Sequence, residues 1–402
     1  MSFSGVLGYL ARVKLLLLVL AAFAFEAPAY AATPLIVGVT EDRLGSDPAT
    51  ISRDAKRLGI DAVRVTMTWH PGLTAPNVSQ RAQLDAAKSS PLRIVLSVWG
   101  DRGRDAPQTA AQRDQYCGFL RRIVSDYRSI KDVVIWNEPN KELFWNPQYG
   151  PGGQSLAPAR YEALLARCWD VLHDDVDVLG PSTAPRGNDN PQATSNASHS
   201  PQRFLEEMAA AYRASRRDRP ILDILAHHVY GSTPGEPPGQ QHPGRTIGQG
   251  DYARLMETLT LGFSGTAQPV PDVWYLEAGF ETTIDPAKRS LYSGRELVQA
   301  ILPAEQAAGL RAALQLAASQ PRVTAWFNFL LWDESRLEGW QSGIYWADGS
   351  PKPSTNAFEA AVAAVHRSNQ SHRTAWIVAA AVAGIAILLA ARRLGRRRSI
   401  SR

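Results

Sequence analysis

A closed (β/α)8 TIM barrel of the α/β class is the fold that the sequence predicts, and three observations predict it. Eight short β-rich runs alternate with eight longer helical stretches between Pro34 and about Arg367, the order of parallel βαβ units. The β-rich runs are nearly continuous in apolar residues, as strands covered on both faces require. Links from helix to strand are mostly short, whereas links from strand to helix are often long and rich in Gly, Pro and aromatic residues. A closed barrel gathers all of the second kind on one face, where chemistry is built. An open doubly wound sheet is the main rival, and the chain lacks the phosphate-binding glycine motif that goes with it.

The elements follow in order. The run "LIVGVT" (35–40) leads to a helix over 48–58, and "AVRVTMTW" (62–69) to one over 78–89. "RIVLSVWG" (93–100) precedes a helix over 110–127, and "VVIWNE" (133–138) one over 158–173. "DVLGPS" (177–182) is followed by 201–216, "LDILAHHVY" (222–230) by 251–261, "VWYLEAG" (273–279) by 297–318, and "VTAWFNFLLW" (323–332) by 355–366. The return links are as short as "GID" at Gly59, while the outward ones include 140–157, 182–200, 231–250 and 333–354. No domain boundary falls inside this span.

Both ends of the chain are expected to lie apart from the barrel (34–367). Arg12 and Lys14 precede the apolar run "LLLLVLAAFAF" and the small residues Ala29 and Ala31, which reads as an export signal over 1–31. After a linker (368–373), Thr374 to Ala391 is an uncharged, mostly apolar stretch followed by six arginines between 392 and 402. Its length suits a membrane helix, with the basic tail cytoplasmic and the barrel outside the cell membrane. Much of the formal net charge of +5 sits in that tail, so the charge does not point to nucleic acid. The 402 residues are 45% hydrophobic and 20% charged, figures of a globular rather than a disordered chain.

The two cysteines, Cys117 and Cys168, have no neighbour at metal-ligand spacing and fall on consecutive helices. In an oxidising exterior they can either pair or remain buried thiols.

The chemistry is sought at the C-terminal ends of the strands. Glu138 ends the fourth run and Glu277 ends the seventh, so two carboxylates are set to face each other across the barrel mouth. Glycosidic bond cleavage needs that arrangement: one acid protonates the leaving oxygen and one carboxylate attacks or stabilises the anomeric carbon. Arg64 alternates with Val63 and Val65, which turns it into the barrel, and a buried Arg there needs a carboxylate partner.

With "WNEPN" (136–140) on the fourth strand and "LEAG" (276–279) on the seventh, the chain resembles the clan A glycoside hydrolases, barrels that include the family 5 cellulase-like and family 39 enzymes. The resemblance covers the whole barrel region. It implies Glu138 as acid/base, kept protonated by its surroundings, and Glu277 as nucleophile, with Arg64 lowering the pKa of Glu277. It further implies Asn137 as a partner of the sugar 2-hydroxyl, Tyr230 as a donor to the nucleophile, and His228 and Trp332 as further pocket residues. His227 precedes His228, so the register of that pair is open by one residue.

Trp69, Trp99, Phe144, Trp145, Tyr149, Trp332, Trp340 and Trp346 all lie at or beyond strand ends, where flat rings can form a saccharide platform. Glu142, Glu281, Asp333 and Glu334 are read as solvated groups or saccharide contacts. No metal or other cofactor is expected, since neither HExxH nor CxxC spacing occurs. The expected function is a retaining β-glycosidase acting on a poly- or oligosaccharide. The alternatives are a catalytically silent barrel that binds polysaccharide or scaffolds its export at the cell surface, and an enzyme that transfers sugar to another sugar. Sugar identity, linkage, endo or exo action and oligomeric state stay open.

Overall fold

Every strand of the sheet pairs in parallel with the next in sequence, and the last pairs with the first, in a computed structural model that describes residues 34–371 together with 374 and 384. The strands are β1 (Ile36–Thr40), β2 (Ala62–Thr68), β3 (Arg93–Trp99), β4 (Asp132–Ile135), β5 (Asp177–Thr183), β6 (Ile224–His228), β7 (Asp272–Ala278) and β8 (Val323–Phe329). Five consecutive residue pairs, Ile36 with Ala325 through Thr40 with Phe329, close the barrel. The intervening helices are α1 (Pro48–Leu58), α2 (Val78–Ser89), α3 (Ala110–Asp126), α4 (Ala157–Leu172), α5 (Pro201–Ser215), α6 (Tyr252–Phe263) and α7 (Pro303–Ser319). Residues 355–371 are also helical, including 368–371 where a linker is expected. Among the described residues no helix is long and apolar enough to cross a membrane. The expected export signal, membrane helix and basic tail lie outside the described residues, apart from Thr374 and Gly384.

Alternation along the strands sorts their side chains into two cores. Val63, Val65, Ile94, Leu96, Val133 and Val178 face outward into one large apolar layer with Leu120, Ile123, Leu164 and Phe204 of the helices. Ala62, Val95, Val134, Leu179, Ala226, Trp274, Ala325 and Phe327 fill the barrel interior. Inside that layer the Trp274 and Phe327 rings stack 6.0 Å apart. Gly38 faces the same ring, and a Cβ there would come within 2.2 Å of Phe327. The interior is thus plugged by side chains, and polar groups concentrate above the plug.

Several element boundaries differ from the sequence reading, and two of the differences bear on the cleft. The fourth strand ends at Ile135, because Trp136 (φ 67°) and Glu138 (φ 36°) leave the extended region. The seventh helix starts at Pro303 rather than Leu297. Proline has no N–H to give a preceding turn and is accommodated in the first turn of a helix, so 297–302 is left as an apolar surface segment with Leu297 and Leu302 exposed.

Cys117 on α3 and Cys168 on α4 form a disulfide with their Cα atoms 5.0 Å apart. It closes a chain segment of 51 residues, for which loop-closure entropy gives a stabilisation of about 4 kcal/mol. Replacing both cysteines by alanine is expected to lower the unfolding free energy by roughly 2–4 kcal/mol in a urea titration; an unchanged midpoint and slope would show that the crosslink constrains nothing.

Candidate active site

The C-terminal ends of the strands surround a cleft of about 640 Å³, and Glu138 and Glu277 both line it. The two arrive by different means. Glu277 sits on β7 just where its pairing slips, with register shifts between Tyr275 and Ala278 on one side and His227 and His228 on the other. Such irregularities in a strand re-aim side chains near functional sites. Glu138 lies beyond β4 in a left-handed turn. Two non-glycine residues there, Trp136 and Glu138, cost on the order of 1–3 kcal/mol each, so the surroundings must hold them.

They do so through buried groups. The Trp136 N–H donates to the Tyr116 hydroxyl (3.1 Å), which itself donates to the Val98 carbonyl (2.8 Å). The Trp136 indole donates to the Phe144 carbonyl at 2.7 Å. The Glu138 N–H donates to the carbonyl of Ser182, another residue of positive φ. Asn140 then ties the loop down: its amide donates to the carbonyls of Ala184 and His199, and its oxygen accepts from Ala184 N–H. The residues around the Glu in "WNEPN" therefore shape the turn that presents it.

Around Glu277 the polar groups converge. Arg64, fully buried on β2, donates through Nη1 to Glu277 Oε1, and through Nη2 to Ser97 Oγ at 3.1 Å and Asn137 Oδ1 at 3.0 Å. Tyr230 donates its hydroxyl to Glu277 Oε2 at 3.0 Å. His228 Nδ1 lies 2.9 Å from Glu138 Oε1 and 3.3 Å from Glu277 Oε2, while its Nε2 meets Ser182 Oγ at 2.8 Å. The Glu277 carboxylate only accepts, so the His228 proton that meets it is the one on Nδ1. His227, one residue earlier, turns away to Thr183 and the Ile247 carbonyl, which resolves the register of the pair.

Burial pushes the Glu277 carboxyl up, but His228, the Arg64 charge and the donors Arg64 and Tyr230 outweigh it and hold the group below its usual range. Tyr230 goes the other way: burial, then the nearby Glu277 and Glu138 charges, raise its hydroxyl well above the ordinary value. It stays a donor at any physiological pH.

Glu138, His228 and Glu277 each present one ligand atom, all within 4.8 Å of one another, a grouping that could hold a metal ion. The donor set fits one poorly, because both oxygens of Glu277 already accept from Arg64 and Tyr230. A cation at that point would also stand beside the guanidinium charge.

Of the aromatic residues expected at the platform, Trp99 and Phe144 line the cleft. Trp99 also lies 5.6 Å from the Arg64 guanidinium. Trp145 does not line it: its ring is fully buried between Trp136 and Tyr161. Trp332 also points away, donating its indole N–H to Asp54 and lying under Arg43. Trp69 and Trp346 are buried as well, and Tyr149 stacks on His199. These rings belong to loops long enough to fold back on the barrel, where burying a large apolar surface outweighs exposing it at the rim. Trp340 also lines the cleft, with Tyr230 5.0 Å away and Phe329 5.4 Å away.

The remaining acids divide. Glu281 and Glu334 line the cleft, and burial followed by the Glu296 and Asp333 charges pushes Glu281 up to about 7. Asp333 is instead buried against Lys352 at 2.7 Å and Tyr292 at 2.8 Å, and Glu142 accepts from the Ala197 N–H. Asp333 is therefore no solvated rim group, whereas Glu142 stays half-exposed. Three charged cleft residues went unmarked in the sequence: Asp42, whose carboxylate caps Thr66, and the two cations Lys141 and Arg186. All three follow closely on strand ends, which was the available signal.

No family model matches the sequence, and no curated protein matches it either. Solved structures do. A family 39 glycoside hydrolase from Bacteroides cellulosilyticus aligns over 83% of this chain and 64% of its own, with 17% identity and a TM-score of 0.56. The fold is that of the clan A glycoside hydrolases. A glucosidase from Croceicoccus marinus aligns over 83% of this chain and 68% of its own, at 14% identity and a TM-score of 0.56. A family 2 β-galacturonidase from Eisenbergiella tayi aligns over 81% and 50%, at 12% identity and a TM-score of 0.50. The chain thus spans about two thirds of the first two proteins and half of the third. In this barrel the polar cluster occupies the carboxyl ends of the strands, the face on which (β/α)8 barrels carry their chemistry.

Removing the Arg64 charge should free Glu277 to titrate higher, because burial then acts with less opposition. Arg64→Gln is expected to raise the Glu277 pKa, read from the carboxyl carbon shift of selectively labelled glutamate in a pH titration. An unmoved titration would mean that the guanidinium does not govern this carboxylate.

Proposed function

We propose that the protein is a retaining β-glycosidase that acts on a poly- or oligosaccharide. The observation that carries this reading is the meeting of Glu138 and Glu277 over one cleft, with carboxylate oxygens within 4.8 Å of each other. Retaining enzymes set their two carboxyl groups about 5–5.5 Å apart, whereas inverting ones leave roughly 6.5–9.5 Å for a water.

In the proposed reaction Glu277 attacks the anomeric carbon. It is the better nucleophile of the two because Arg64, His228 and Tyr230 keep it ionised. Glu138, on the more open side and 16% exposed in its side chain, gives its proton to the leaving oxygen as the bond breaks. The glycosyl-enzyme ester is then opened by a water that Glu138 deprotonates, which restores both groups. Asn137, its oxygen committed to Arg64, has its NH2 left for a sugar hydroxyl. Trp99 and Trp340, which both line the cleft, are the rings on which sugar faces can stack.

We further infer an extracytoplasmic site of action at the cell membrane, from the export signal and anchor read in the sequence. The disulfide supports it, since such bonds persist in oxidising compartments. Recovery of the intact protein in a soluble cytosolic fraction, with its cysteines reduced, would overturn that placement.

Glu277→Ala is expected to abolish hydrolysis of every substrate that the protein cleaves. Glu138→Ala should lose roughly 10²–10⁴-fold on sugars with poor leaving groups and far less on activated aryl glycosides. Proton NMR of the first-formed product should show the anomeric configuration of the substrate. Inverted product, or full activity in either variant, would defeat the assignment.

A further inference from the structure

The cleft is divided by charge. Its acidic lining beyond β7, β8 and β1 consists of Glu281, Glu334 and Asp42, with Glu277 on β7 itself. Its basic lining, among the described residues, is Lys141 and Arg186, which follow β4 and β5. The two cations stand on the Glu138 side: the charges that act on Lys141 are Glu138 and Arg186, and those that act on Arg186 are Glu236 and Glu138. Glu277 is held by Arg64, His228 and Tyr230 instead.

Neither cation is neutralised by a close protein partner. The Lys141 ammonium makes no hydrogen bond or ion pair among the described residues, although burial lowers its pKa. Arg186 donates through Nη1 to the backbone carbonyls of Tyr230 (3.1 Å) and Gly231 (2.6 Å), which fix the guanidinium without cancelling its charge. Elsewhere this protein pairs its buried cations: Arg64 with Glu277, Lys352 with Asp333, Arg217 with Asp170. Two half-buried cations that share a cleft wall without a salt bridge are a receptor for an anion.

We infer that Lys141 and Arg186 form a subsite for an anionic sugar, carrying a carboxylate or a sulfate, on the leaving-group side of the cleft. The position follows from the glycosidase reading, on which this inference rests: the group that protonates the leaving oxygen must stand next to the leaving sugar, and both cations flank Glu138. The glycone side, lined by Glu277 and bounded by Glu281, carries negative charge and takes a neutral or cationic unit.

The test is titration calorimetry on the full chain with matched sugars: glucuronate against glucose, galacturonate against galactose, mannuronate against mannose, and glucose 6-sulfate. At low salt at least one acidic member should bind about tenfold more tightly than its neutral counterpart, a gap that closes at roughly 0.5 M salt. The carboxylate and sulfate arms tell which anion is preferred. Lys141→Gln, at a position whose ammonium has no protein partner, should remove the gap and leave neutral sugars within about twofold, while Lys141→Arg should keep it. No acidic preference in any pair, or a preference that survives Lys141→Gln, overturns the inference. Chromatography of oligosaccharides incubated with the same preparations separates the two claims. Preference without cleavage counts against the glycosidase alone, and cleavage without preference counts against this subsite alone.

Discussion

The pairing of Arg64 with Glu277 is the constraint on which the rest of the site depends. A guanidinium with no solvent exposure is tolerated only where a carboxylate and further acceptors replace the water it lost. Here the acceptors come from three other places in the chain: Glu277 on β7, Ser97 on β3 and Asn137 beyond β4. One side chain thus gathers four segments to a single point at the barrel mouth. The same contact bears on the chemistry of the carboxylate: burial pushes its pKa up, and the His228 and Arg64 charges with the donors Arg64 and Tyr230 bring it below the usual range.

A second set of contacts places Glu138 against that fixed point. The left-handed turn at Trp136 and Glu138 is held from below by Tyr116 on α3 and from the side by Ser182 and Asn140. His228 bridges the two carboxylates and is itself oriented by Ser182. Preorganisation of this kind puts the donors and acceptors in place before any substrate arrives, so no reorganisation is left for the reaction step. The disulfide joins α3 and α4, the two helices that flank β4 in sequence, and its Cys117 is the chain neighbour of Tyr116.

The distribution of charge and aromatic surface adds direction to the cleft. Trp99, Tyr230 and Trp340 supply apolar faces, while cations on one wall and acids on the other distinguish its two ends. A groove polarised in this way discriminates among ligands by their charges as well as their hydrogen-bonding patterns.

The barrel and its two glutamates were legible in the sequence because both are written in local patterns. Strand-to-helix alternation carries the topology, and strand ends carry the functional face. The Val63–Arg64–Val65 alternation alone was enough to turn the arginine inward. The aromatic platform was not legible in the same way. Trp145, Trp332, Trp99 and Trp340 all lie at or beyond strand ends, yet the first two turn away and the last two line the cleft, because the path of a long loop depends on contacts far away in the chain. The same holds for Lys141 and Arg186, whose charges gain meaning only from what lies opposite them.

What the sequence determined by itself, then, was the order of the elements and the presence of a carboxylate at the ends of the fourth and seventh strands, since period-two alternation and loop length are properties of neighbouring residues. Only the tertiary structure decided that His228 and not His227 meets the glutamates, that the two cysteines join, and which rings and cations line the cleft. Those outcomes depend on a register slip, a turn of positive φ and the folding back of long loops, each governed by free energy gained between residues tens to hundreds of positions apart.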